Sequence, residues 1–107
     1  MPLTTDFRET IRARAQRDED FRQGLLLEAV DLMLSGDVET GKKIIRNYIN
    51  ATVGFQKLAK RTHRPEKSLM RMFSPKGNPS SQNMFGVLAE LAKAEGVKLK
   101  AKSARAA

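Results

Sequence analysis

The sequence predicts an all-α fold: a small helical bundle containing a helix-turn-helix, with extra helices before it and a strand-patterned segment after it. Three observations carry this. Apolar residues recur at helical spacing over most of the chain, and Ser, Asp, Gly and Pro punctuate the stretches between. Two short amphipathic stretches, Phe55–Thr62 and Pro65–Phe73, are separated by a very short turn. A length of 107 residues suits one compact core and leaves no room for two.

The first helix is expected from Thr5 or Asp6 to about Arg17, with Phe7, Ile11 and Ala15 forming a narrow apolar stripe. The acidic run Asp18-Glu19-Asp20 then reads as a fresh helix start, favourable to the dipole. The second helix presents Phe21, Leu25, Leu26, Ala29, Val30, Met33 and Leu34 as a broad buried face. Ser35-Gly36 stops it and Asp37 can cap the next, about 38–52. In that third helix Ile44, Ile45, Tyr48 and Ile49 face inward, with Lys42, Lys43 and Arg46 on the other side. Gly54 breaks it, and the fourth helix buries Phe55, Leu58 and Ala59.

Pro65 suits the first position of a fifth helix, where its missing N–H costs nothing, and Leu69, Met72 and Phe73 point inward there. Ser74-Pro75-Lys76-Gly77-Asn78-Pro79 is a loop. Ser80 or Ser81 caps a last helix carrying Met84, Phe85, Val87, Leu88, Leu91 and Ala92, which ends at Gly96. The methionines Met70, Met72 and Met84 read as core filler, and Tyr48 as a buried ring with a wet hydroxyl. Val97 to Lys102 alternates apolar and basic, the period of a half-buried strand. One short strand cannot stand alone, so it pairs with its copy across a dimer axis or waits as an edge for a partner. The chain thus divides into an N-terminal helical extension (1–36), a helix-turn-helix domain (37–96) and a strand with basic tail (97–107).

Charge narrows the function. Twenty Lys plus Arg against twelve Asp plus Glu leave a net +8. Residues 1–53 balance near neutrality, whereas residues 54–107 hold 12 basic and 3 acidic side chains. A polyanionic partner would therefore meet the C-terminal half. Zero Cys removes disulfide, thiol and zinc-finger chemistry, and the single His63 reads as a turn residue or phosphate donor. There is no paired-carboxylate or nucleophile–base signature and no phosphate-cradling glycine loop, so no enzyme, cofactor or metal site is expected. The start of the chain carries no apolar export segment, and no stretch is apolar enough to span a bilayer. A cytoplasmic, non-membrane protein is the expectation.

A helix-turn-helix needs a small residue where its helices cross, apolar residues facing inward on the second helix, and polar ones facing out near its start. Ala59 meets the first need, Leu69 and Met72 the second, and Glu66, Lys67, Ser68 and Arg71 the third. Seven basic residues and one acid lie between Gln56 and Lys76, a bias that a neutral packing hairpin does not require.

The run Gly54-Phe55-Gln56-Lys57-Leu58-Ala59-Lys60-Arg61-Thr62, followed by Ser68 to Pro79 with its Ser-Pro-x-Gly-Asn-Pro loop, resembles the addiction-module antidote proteins. These are HigA-like helix-turn-helix regulators of the Cro/lambda-repressor type, and the similarity spans about residues 40–100. The family usually has Gly where this chain has His63, and an apolar residue followed by Ser or Thr where it has Arg64-Pro65, so the turn is built differently here. The resemblance implies a homodimer that binds operator DNA and represses its own promoter, and that also neutralises a RelE/HigB-type toxin.

On that reading the recognition helix falls on residues 65–73. Arg71 can fork onto guanine, with Lys67 a weaker candidate for the same job. Glu66 either accepts from cytosine or stabilises the helix start, and Ser68 touches a base or phosphate only if the helix docks closely. Backbone phosphates would be held by Lys57, Lys60, Arg61, Arg64 and Lys76, and by Ser80, Ser81 and Gln82 at the next helix start. Two competing readings remain: a protein-interaction module that grips a toxin with DNA binding secondary, and a non-specific nucleic-acid binder.

Overall fold

The computed structural model describes residues 11–106. Helical residues 11–17 (α1) lead into α2 (Glu19–Leu34), α3 (Val38–Ala51), α4 (Phe55–Thr62), α5 (Glu66–Met72) and α6 (Ser81–Glu95). The fold is all-helical. The expected helix start at Thr5 or Asp6, with Phe7, lies outside the described residues.

The boundaries follow from capping chemistry. Asp18 separates α1 from α2: its backbone leaves the helical region, and its carboxylate accepts the Phe21 N–H at 3.0 Å. That bond holds the Asp18 carboxyl below its ordinary range. Arg14 of α1 stacks 4.5 Å over the Phe21 ring and ties the two helices together at the surface. At the end of α2, Gly36 turns left-handed (φ 98°) and Asp37 N–H reaches back to the Leu32 carbonyl. The Asp37 carboxylate then caps α3 through Thr40 N–H, so one residue closes one helix and opens the next. Gly96 (φ 78°) ends α6 in the same way, with Val97 N–H on the Ala92 carbonyl.

All the larger helices share one core, built on Leu26, Ala29, Ile45, Tyr48, Ile49, Leu58, Leu69, Phe73, Val87 and Leu91. Helix α2 contributes to it directly, and residues 35–37 form the turn that leads into α3. The α2–α3 crossing is close because Gly41 carries no side chain. A Cβ there would lie 2.6 Å from Met33 Cγ and 2.9 Å from the Ala29 carbonyl oxygen.

Several expectations need correction. Lys42 is not on the outer face of α3: it is only 2% exposed. It lies one turn before Ile45 and two before Ile49 on the inner stripe, and its ammonium finds partners there. Leu34, at the end of α2, and Phe85, at the rim of the α6 apolar arc, are 66% and 61% exposed. Met70 is also exposed, one helical step outside the Leu69–Met72–Phe73 face. The Tyr48 hydroxyl is not wet but donates to the Glu95 carboxylate. Pro65 sits just before α5, in extended conformation, and not in its first position.

No strand forms among the described residues, 97–106 included. The two-residue period survives only as packing: Val97 and Leu99 are half-buried, Lys98 and Lys100 exposed. No described helix is long and apolar enough to cross a membrane.

Candidate nucleic-acid interface

The candidate surface is organised by the turn between α4 and α5. His63 adopts the left-handed conformation (φ 54°), which an L side chain resists. It is held there because His63 N–H and Arg64 N–H both reach the Ala59 carbonyl, the Arg64 bond being 3.1 Å. Three residues separate α4 from α5, and Pro65, with φ −61°, precedes the first turn of α5. Leu69 and Met72 anchor α5 in the core, with Phe73 just beyond them.

That anchoring decides which side chains face out. Glu66, Lys67, Ser68, Met70 and Arg71 are all exposed on α5. Lys67 and Arg71, one turn apart, make no ion pair with any described residue. Glu66 occupies the first turn, where a carboxylate is favourable to the helix dipole.

The loop after α5 is held from behind by a buried cation. Lys42 Nζ donates to the Ser74 carbonyl at 3.1 Å and the Gly77 carbonyl at 2.6 Å, and it pairs with Glu39 at 3.1 Å. Ser74 N–H and Oγ both bond the Arg71 carbonyl, closing the end of α5. Gly77 packs onto the same carbonyl so tightly that a Cβ would overlap it and stand 2.8 Å from the Met72 carbonyl oxygen. The spacing of Ser74-Pro-Lys-Gly-Asn-Pro is thus explained by a turn folded against the last turn of α5. Lys76 projects from it into solvent.

The expected phosphate contacts do not all share this face. Lys60 is exposed on α4 and is not among the residues lining the cleft beside α6, whereas Lys57 and Arg61, one turn apart, border it. Arg61 also pairs with Glu90 of α6 at 3.5 Å. Arg64 is half-buried, its guanidinium 4.0 Å from where a Cβ of Gly86 would stand. Ser80 Oγ is occupied as the N-cap of α6, accepting Asn83 N–H at 3.1 Å. Ser81 and Gln82 are exposed in the first turn.

Two features were missed by reading the sequence. One is Lys42, whose position on the Ile45–Ile49 stripe was a signal that hydropathy discards. The other is a partly buried polar cluster: the Glu95 side chain is 5% exposed and is gripped by Arg22 Nε at 3.1 and 3.2 Å and by the Tyr48 hydroxyl. Arg22 also donates to the Ala15 carbonyl at 2.8 Å, so this cluster ties α1, α2, α3 and α6 together. Burial, and then the adjacent Glu95 carboxylate, push the Tyr48 phenol well above its ordinary pKa. Residues 47 and 73 positions apart in sequence leave no local pattern that announces such a cluster. Comparison with family models, curated proteins and solved structures gives no match.

Proposed function

We propose that this chain is a sequence-specific DNA-binding transcriptional regulator, an antitoxin-type autorepressor acting on operator DNA as a homodimer. In this reading α4 and α5 form a helix-turn-helix and α5 enters the major groove. The observation that carries it is the pair Lys67 and Arg71, exposed and without ion-pair partners among the described residues, on a short helix whose other side is anchored in the core. Arg71 reads guanine, and Lys60 and Lys76 hold phosphates. Lys57 and Arg61 contribute less, since they flank a different cleft.

A second reading, a protein-interaction module that neutralises a RelE/HigB-type toxin, is favoured by a separate observation. Leu27, Leu34 and Val38 are exposed along α2 and the start of α3, as are Glu28, Asp31 and Glu39 between and beside them in the sequence.

The test is selection of bound duplexes from a randomised pool, followed by titration of the enriched duplex and a scrambled one. The wild-type chain enriches a defined motif. Arg71→Ala loses the preference between the two duplexes. Lys60→Ala weakens both alike and lowers the salt slope by roughly one. Failure of the wild-type chain to enrich any motif overturns the DNA reading. Unchanged discrimination by Arg71→Ala removes that residue from base reading.

A further inference from the structure

Lys57 and Arg61 are the two cations of α4 that the DNA reading leaves with least to do. They border a cleft of about 300 Å³ whose remaining walls come from Arg22, the end of α3 and the C-terminal half of α6. That volume is at the lower end of small-molecule sites, enough for a ligand of single-ring size. Val53, Leu91 and Ala94 supply apolar lining.

The polar inventory of the cleft is one-sided. Glu95 is the acid that lines it, and its carboxylate is already occupied by Arg22 and by the Tyr48 hydroxyl. The Thr52 hydroxyl is likewise committed, donating to the Tyr48 carbonyl at 2.7 Å. Side-chain donors still open are therefore the Lys57 ammonium, which has no ion pair among the described residues, the part of the Arg61 guanidinium left over by its 3.5 Å contact with Glu90, and the Nη2 group of Arg22, whose Nε and Nη1 are already engaged. An occupant must bring acceptors, and negative charge, to two cations one helical turn apart. It must also bring an apolar body to cover the lining between them.

We propose that this cleft binds a small organic monoanion, with its carboxylate between Lys57 and Arg61 and its apolar body against Val53 and Leu91. The site does not depend on the DNA reading, and its test contains no nucleic acid. The full chain, isotopically labelled, is titrated by NMR with benzoate, with the neutral isostere benzamide and with inorganic phosphate. Benzoate shifts the amides of Val53, Lys57, Arg61 and Leu91 saturably, at least tenfold more tightly than benzamide, and phosphate leaves Val53 and Leu91 unmoved. Lys57→Gln and Arg61→Gln each weaken benzoate about fivefold, the scale of one partly exposed charge contact. Lys43→Gln, exposed on α3 and outside the cleft lining, leaves binding unchanged. Equal binding of benzoate and benzamide, identical shifts with phosphate, or an equal loss in Lys43→Gln overturns the proposal.

Discussion

Replacing Lys42 with Met tests how the loop behind α5 is held. The substitution keeps the length of the buried stem and removes the ammonium, leaving the Ser74 and Gly77 carbonyls without their donor. A hydrogen bond from a charged donor contributes roughly 1.5–3 kcal/mol. The Glu39 carboxylate is mostly exposed, so its pairing adds less than about 1 kcal/mol. Relief of the desolvation cost of the ammonium offsets part of the total, and a net loss of about 2–4 kcal/mol follows. Against an ordinary stability of roughly 5–15 kcal/mol this is a large fraction. The midpoint of thermal unfolding should fall by about 10–20 °C. The assay is urea unfolding followed by circular dichroism, with Lys43→Met as the control. Lys43 is exposed, and its replacement should stay within about 0.5 kcal/mol of wild type. If Lys42→Met also falls within that margin, the two carbonyls do not need the ammonium and the account of the loop is wrong.

Two further outcomes follow from the packing and the partly buried polar cluster. Gly77→Ala forces a Cβ into the Arg71 and Met72 carbonyls and should cost about 1–3 kcal/mol in the same unfolding assay, whereas Gly24→Ala, with open space around it, should stabilise by up to about 1 kcal/mol. Tyr48 is the one tyrosine of the chain and there is no Trp, so its ionisation is visible alone by ultraviolet absorbance. Its folded pKa is raised, so its contribution to stability is intact below the unfolded value of about 10 and erodes as pH climbs above it. Tyrosinate should therefore appear only together with loss of helical signal. Reversible ionisation near pH 10 with the helices intact would contradict the buried Tyr48–Glu95 contact.

How legible the molecule was depends on the range of the interaction concerned. Helix starts and stops were readable wherever a local group completes them: Asp18, Asp37 and Ser80 as caps, Gly36, Gly54 and Gly96 as breaks. The outward set Glu66, Lys67, Ser68 and Arg71 was readable from the spacing of Leu69 and Met72, because helical periodicity links the two faces. Met70 and Phe85 lie at the margins of their apolar arcs, where periodicity does not settle exposure and the neighbouring helix does. In the segment from Val97 the alternation is expressed as packing, with Leu99 against the core, and no ladder forms among the described residues.

Lys42 and Lys43 stand side by side with the same chemistry, yet one is sealed inside and the other is bathed in water. Capping, periodicity and the surplus of positive charge are properties of neighbouring residues, and the chain carries them before it folds. The fate of an ammonium, the enclosure of the Glu95 side chain by Arg22 and Tyr48, and which α4 cations border the cleft depend on distant segments. A buried charge is tolerable only where remote carbonyls or counter-charges meet it, and folding alone brings those together.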